Sequence, residues 1–293
     1  MTLSIEDIKQ ALNDYGYVVV PSVLSGDEVA EAKAAHDAWR LTIPDHDRMH
    51  NAVDPHGIYK FHEAGHQRHA WLIRTNPRVL EIFAHLWNTT IDNLNVSFDG
   101  SCYINKDLAK KDNVWTHTDQ APASKGLQCY QGFVALTSNK ERTLVVYHKS
   151  HIMHEKYFEL KGNTSKTNWN KIDLQTLEKM APLKRVLEVP AGALVLWDSR
   201  TFHQNQYGAP LSEERIVQYV CYLPKTHPKN TKTIQKKRLK YFEERRTTSH
   251  WPSPIYVNGK QPQTYGDESK LIDYDALTPP KLADLDAAIR KLL

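Results

Sequence analysis

From about residue 93 to about residue 223 the apolar residues of this chain stop recurring at helical intervals and alternate instead, which confines the middle of the molecule to short half-buried strands. In Phe98-Asp-Gly-Ser-Cys-Tyr-Ile-Asn105 the even-numbered Phe98, Cys102 and Ile104 share one face, and Asp99, Ser101, Tyr103 and Asn105 share the other. Further strands are predicted at 113–119, 127–137, 143–147, 184–189, 193–203 and 214–223. Turn signals such as Ser138-Asn-Lys and Pro190-Ala-Gly192 separate several of them. Helical patterns flank the block at 4–13, 27–40 and about 77–87 on one side and at 228–246 and 279–292 on the other. A short strand is predicted at Tyr17-Val-Val-Val20, a polar loop at 41–58 and a helical insert at about 153–181. Short strands in one block with helices around them predict an α+β fold with a sandwich, jelly roll or barrel at its centre. The expected organisation is one domain over residues 1–293: a helical N-terminal part (1–90), a β core (about 91–224) and a C-terminal helical extension (225–293). The βαβ rhythm, the GxGxxG loop and the P-loop are all missing, so nucleotide-binding α/β folds are not indicated.

Composition narrows the class further. Of the 293 residues 40% are hydrophobic and 25% charged, the balance of a globular protein. The longest apolar runs fall far short of the roughly 20 residues a membrane helix needs, and the opening residues have no apolar leader segment. Three cysteines, widely spaced and without a CxxC pair, fit a reducing compartment. A cytoplasmic protein without a membrane partner is expected. The net charge of +4 is too small to imply nucleic acid. Residues 225–246 nevertheless hold nine Lys or Arg against two Glu, a basic helix read as a solvated face.

Chemistry concentrates in Val114-Trp-Thr-His117-Thr-Asp119. On a strand, side chains two apart project from one face, so His117 and Asp119 offer an imidazole and a carboxylate side by side. His203, 84 residues after Asp119 at the end of an apolar strand, supplies a third donor. Two histidines and one carboxylate on a single face leave coordination positions open, the arrangement that non-haem Fe(II) oxygenases use. Twelve residues beyond His203 a further strand opens with Arg215, and a strand-borne arginine turned inward needs an anionic partner.

Taken in this order, HxD, distal His and Arg, the chain resembles the Fe(II)/2-oxoglutarate-dependent dioxygenases, and more narrowly the phytanoyl-CoA dioxygenase family. Asp14-Tyr-Gly-Tyr-Val-Val-Val-Pro21, Phe133-Val-Ala-Leu136, His148-Lys-Ser-His151 and Pro190-Ala-Gly-Ala-Leu-Val-Leu-Trp-Asp198 carry the same resemblance, over roughly residues 10–224. Lys149 departs from it, standing where the family usually has Gly. The resemblance implies a double-stranded β-helix (cupin-like jelly roll) with His117, Asp119 and His203 as iron ligands. It implies that Arg215 takes the distal carboxylate of 2-oxoglutarate, with Asn205, Phe133 and, on the preceding strand, Tyr103 beside the cosubstrate. The expected reaction consumes O2 and 2-oxoglutarate, releases succinate and CO2, and oxidises a C–H bond by hydroxylation, desaturation or ring closure. With Asp119 present, the halogenase branch of this group is not expected.

Two rival readings come from the same residues. His62-Glu-Ala-Gly-His66 matches HExxH, which on a helix would make a zinc metallopeptidase with Glu63 as general base. A jelly-roll binding protein without catalysis is the other. The histidines at 148, 151 and 154 are read as turn-stabilising, because the residues before them read as strand and turn. The substrate is expected to be a small, anionic molecule, carboxylate or amino-acid-like, met by Arg74, Trp115, Gln120, Trp197 or Arg200. Lys60 and His62 are expected on a loop near the pocket.

Overall fold

In the computed structural model, which describes residues 3–44, 46 and 55–293, the first two helices begin where their capping residues place them. Ser4 and Ser25 each accept a hydrogen bond from the amide three residues on, and the Asp7 and Glu28 carboxylates accept one from the cap amide. These close α1 (Ile5–Tyr15) and α2 (Gly26–Arg40) at their N-termini. Gly16, at φ 87°, ends α1 in the left-handed conformation that glycine adopts without steric cost, and β1 (Tyr17–Val20) follows at once. The chain continues through β2 (Ile58–Tyr59), α3 (Arg68–Arg74), α4 (Pro77–Leu86), β3 (Leu94–Val96), β4 (Ser101–Ile104), β5 (His117–Thr118), β6 (Tyr130–Ala135) and β7 (Leu144–Tyr147). After these come α5 (Ser150–Leu160), β8 (Asn170–Lys171), α6 (Leu174–Lys179), β9 (Lys184–Val186), β10 (Leu194–Asp198), β11 (His203–Asn205), β12 (Arg215–Pro224), α7 (Lys232–Glu243) and α8 (Asp286–Arg290).

Two compact units divide these elements: Met1–Ser22 with Asn105–Arg215, and Val23–Ile104 with Ile216–Leu293. In the first, an antiparallel sheet runs β8-β5-β11-β7-β9, and a second group pairs β1 with β10 and β10 with β6. β10, between β1 and β6, is buried along its length. Tyr147, Phe158, Ile172, Leu177, Met180 and Phe202 form an apolar cluster that fastens the 150–183 insert. In the second unit β2 pairs with β4 and β3 with β12, all antiparallel.

Several elements differ from the sequence expectation. Only His117–Thr118 of the segment 113–119 enters a ladder, because the Trp115 amide donates to the Gln204 side chain (3.2 Å) rather than to a neighbouring strand. The apolar run 193–203 breaks after Asp198, where the Thr201 amide turns back onto the Asp198 carbonyl (2.8 Å). The break carries His203 into the five-stranded sheet. The histidine segment at 148–154 does not stay strand and turn: α5 starts at Ser150 and carries His151 and His154. The insert holds β8 between two helices, and α3, buried on most of its length, was not expected. Of the loop foreseen at 41–58, residues 45 and 47–54 lie outside the described residues. No helix among the described residues is long and apolar enough to cross a membrane.

Candidate metal centre

β5 and β11 are antiparallel neighbours in which His117 and His203 are direct register partners, so their side chains leave the sheet on one side. Asp119 follows two residues after His117. Its Oδ2 lies 3.6 Å from His117 Nε2 and 3.2 Å from His203 Nε2. One ligand atom from each residue lies within 4.8 Å of the others, and all three residues are buried. Among the described residues no other set of three His, Cys, Asp or Glu gathers in this way.

The histidine ring orientations are fixed from behind. His117 Nδ1 faces the Trp115 carbonyl (3.2 Å) and His203 Nδ1 faces the Thr201 carbonyl (2.9 Å). A carbonyl only accepts, so each Nδ1 carries the proton and each Nε2 lone pair is left for a metal. Burial pulls His117 below its ordinary titration value, against the opposing pull of Asp119, and so favours the neutral, ligating imidazole. Two indole rings stack on His117: Trp115 at 4.9 Å and 20°, and Trp169 at 5.3 Å and 28° between ring planes. Gln131 Nε2 donates to Asp119 Oδ2 at 3.0 Å. Three neutral or anionic donors, Nε2, Oδ and Nε2, with both imidazoles already held through Nδ1, fit a divalent iron ion.

Arg215 opens β12 in the same unit and is fully buried. None of its three guanidinium nitrogens has a hydrogen-bond partner among the described residues, and its charge lies over the Phe133 ring, 5.4 Å from the centroid. An unpaired buried cation costs several kcal/mol, so these nitrogens fit an incoming carboxylate. Asn205, two residues after His203 on β11, is buried on the same face of the strand.

The other expected residues have the following partners. Arg74 is buried in the second unit, donating to the carbonyls of Gly65 and Asp99. Tyr103, in that unit too, lies under the Arg40 guanidinium. Arg200 grips Asp198 with two nitrogens, at 2.9 and 2.7 Å. The Gln120 amide donates to the carbonyls of Ser124 and Gly126, and its oxygen accepts from Ser199 Oγ. Trp115 donates its indole N–H to the Asn205 carbonyl at 2.9 Å. Sequence reading missed Gln131 and Trp169. The signal for Gln131 was its position two residues before Phe133, hence on the same strand face; the exposed Trp169 gave none.

The HExxH segment does not make a zinc site. His62 and Glu63 both have positive φ, and only Ala64–His66 is helical, as one 3-10 turn, so the two histidines never share an α-helical face. Glu63 binds Arg245 (2.7 Å), and His66 Nε2 meets the Arg246 carbonyl (3.1 Å). Likewise His151 and His154 bind separate backbone carbonyls, those of Asn13 and Gln120, while His148 stacks on Tyr15.

A histidine–carboxylate–histidine set on an antiparallel sheet, with a buried unpaired arginine in the same unit, defines the class of non-haem iron oxygenases that use a 2-oxoacid. The family model of phytanoyl-CoA dioxygenase (PhyH) matches residues 12–206. An Aspergillus versicolor protein, Ava biosynthesis cluster protein O, is 30% identical over 220 residues, covering 69% of this chain and 69% of that protein. Among solved structures, the α-ketoglutarate-dependent carbocyclase SnoK from nogalamycin biosynthesis superposes with a TM-score of 0.53 at 19% identity, over 76% of this chain and 86% of its own. EctD from S. alaskensis, solved with 2-oxoglutarate and 5-hydroxyectoine, gives 0.51 at 18% identity, over 76% of each chain. The epimerase SnoN, solved with Fe3+, α-ketoglutarate and nogalamycin RO, gives 0.51 at 20%, over 76% of this chain and 84% of its own. The chain belongs to the phytanoyl-CoA dioxygenase family. It is an Fe(II)/2-oxoglutarate-dependent oxygenase with an α+β jelly-roll fold.

Proposed function

We propose that His117, Asp119 and His203 hold the iron, that Arg215 binds the distal carboxylate of 2-oxoglutarate over Phe133 and beside Asn205, and that the enzyme oxidises a C–H bond of a small organic molecule, with hydroxylation as the default outcome. The observation that carries the assignment is the Arg215 guanidinium, fully buried with no hydrogen-bond partner among the described residues. Iron with 2-oxoglutarate and O2 supplies the oxidant for such a bond, and the cosubstrate leaves as succinate and CO2. The protein's part is to fix the donors. Backbone carbonyls hold both imidazoles by Nδ1, Gln131 steadies the Asp119 carboxylate, and the guanidinium fork orients a dicarboxylate by its free end.

The nature of the relatives supports a small-molecule substrate: one is the product of a biosynthesis cluster, and the structural neighbours act in nogalamycin biosynthesis or were solved with 5-hydroxyectoine. An anionic substrate has lost its main support, because Arg74 and Arg200 spend their charges on backbone carbonyls and on Asp198. Ring closure is a second outcome, favoured by the carbocyclase among the structural neighbours. Anaerobic titration with Fe(II) and then 2-oxoglutarate, followed by succinate measurement on admitting O2, tests the assignment. Uncoupled succinate release that is lost in His203→Ala and in Arg215→Met supports it. Parent-like succinate release from both variants refutes it, and no turnover with any candidate substrate would favour a binding protein.

A further inference from the structure

Across the β6–β10 pair, Trp197 and Gln131 are register partners on the strand face that also carries Phe133. Trp197 is 3% exposed, and its indole Nε1 has no hydrogen-bond partner among the described residues. Its ring lies 5.3 Å from the His203 ring and 6.0 Å from the Phe133 ring, centroid to centroid. Gln131 already gives its Nε2–H to Asp119. Two buried side chains with unpartnered donors therefore neighbour Phe133: the Trp197 indole, whose ring also neighbours His203, and the Arg215 guanidinium over the Phe133 ring. Both lack hydrogen-bond partners among the described residues.

A buried N–H without an acceptor costs about 1–3 kcal/mol, and a phenylalanine would fill the same wall without that cost. A donor kept unpaired beside a second unpaired donor fits a ligand rich in acceptors, and 2-oxoglutarate presents nothing but acceptor oxygens. We propose that the Trp197 indole N–H is a cosubstrate-binding donor, acting together with Arg215 on 2-oxoglutarate. The proposal rests on the iron and 2-oxoglutarate assignment above and adds to it a residue that sets cosubstrate affinity.

The test is calorimetric titration of anaerobic, Fe(II)-loaded protein with 2-oxoglutarate, for the parent, Trp197→Phe and Arg215→Met. Trp197→Phe keeps the ring and removes only the N–H. The expected result is about a tenfold or greater rise in the 2-oxoglutarate Kd, the loss of one hydrogen bond to a charged group, with the Fe(II) Kd unchanged. A parent-like Kd in Trp197→Phe beside a weakened Arg215→Met overturns the proposal and leaves the parent assignment standing, as does an effect confined to the KM of the organic substrate. A parent that takes no 2-oxoglutarate overturns both. A second measurement needs no variant to fold: with 15N-labelled tryptophan and diamagnetic Zn(II) in place of iron, one of the seven indole N–H signals moves downfield as 2-oxoglutarate is added. Seven stationary signals overturn the proposal.

Discussion

His203 stands directly across from His117 as its register partner on neighbouring antiparallel strands, with the two rings 4.5 Å apart, centroid to centroid. This pairing converts a separation of 86 positions in the chain into a fixed separation in space, set by the sheet rather than by a loop. Asp119 completes the set two residues after His117, on the same side. The main-chain pairing of β5 with β11 therefore places the two imidazoles of the proposed site side by side.

Metal binding should stabilise the fold by mass action. At about 100 times its Kd, a ligand that binds only the folded state adds about 2.7 kcal/mol, which raises Tm by several degrees in a chain of this size. Mn(II), as an oxygen-inert stand-in for iron, should give that rise in the parent, and a chelator should remove it. His203→Ala should show no rise, as measured by differential scanning fluorimetry. An equal rise in parent and variant would dissociate the triad from the metal.

Arg215 gives a prediction of opposite sign for stability and for binding. Its charge is buried without a hydrogen-bonding partner among the described residues, so Arg215→Met should raise the stability of the protein alone, by on the order of 1 kcal/mol. The same change should abolish the additional thermal stabilisation that 2-oxoglutarate gives the metal-loaded parent. A variant both less stable and still stabilised by 2-oxoglutarate would mean that the guanidinium has a structural partner and no cosubstrate.

The candidate site was legible in the sequence where a side chain's direction depends only on strand periodicity. His117 and Asp119 are two apart, and His203 and Arg215 each sit at the edge of an apolar strand. It was illegible where direction depends on pairing. Gln131 reaches Asp119 because of how β6 is seated in its sheet, and the exposed Trp169 reaches His117 because β8 pairs with β5. Cations in apolar context misled: Arg74 serves carbonyls distant in sequence, although Asp198 stood two residues before Arg200 as a visible partner. HExxH failed as a helix because His62 and Glu63 take positive φ, which four letters in a row do not reveal.

Lys149 is a departure from the family pattern with a measurable cost. It occupies φ 61°, the left-handed region, just before α5. There a side chain costs roughly 1–2 kcal/mol relative to glycine, while glycine gives back about 0.4–1 kcal/mol through unfolded-chain entropy. The turn itself matters, since Ser150 Oγ accepts from the Phe202 amide next to His203, at 2.8 Å. Lys149 is exposed, and its own amide bonds to the Tyr15 carbonyl survive replacement. Lys149→Gly should therefore stabilise by about 0.5–1 kcal/mol in urea unfolding, with unchanged metal affinity. Destabilisation would mean that the lysine stem makes compensating contacts.

Stability should fall as the solution is acidified from neutrality, because of buried histidines in the second unit. Burial holds His36, His62, His66 and His69 below the ordinary histidine value, His62 down to about 4 and His66 to about 3. Below about pH 6.5 the unfolded chain takes up protons that the folded one refuses, so the unfolded state is stabilised relative to the folded one. Each such group costs on the order of 1 kcal/mol per pH unit between the two values. Urea midpoints measured from pH 7 to pH 5 should drop steadily, and His66→Asn should flatten the slope relative to its own value at pH 7. A flat profile in the parent would require these imidazoles to protonate in place.

Trp169 stacks on the ring of His117, one of the proposed iron ligands. It is half-exposed, so its removal withdraws little apolar surface from the core, yet its indole lies nearly parallel to His117 at 5.3 Å. Stacked aromatic pairs contribute about 0.5–1.5 kcal/mol beyond area burial, and here that energy restrains a proposed ligand ring that also stacks on Trp115. Trp169→Ala should thus raise the Mn(II) Kd about two- to tenfold while leaving the metal-free Tm within about a degree. Trp169→Phe, which keeps a stacking ring, should recover most of the loss. Competition against a chelating fluorophore reads both variants. If alanine and phenylalanine weaken the metal equally, the indole acts through something other than the stack, and if neither does, the two strands alone hold His117 in place.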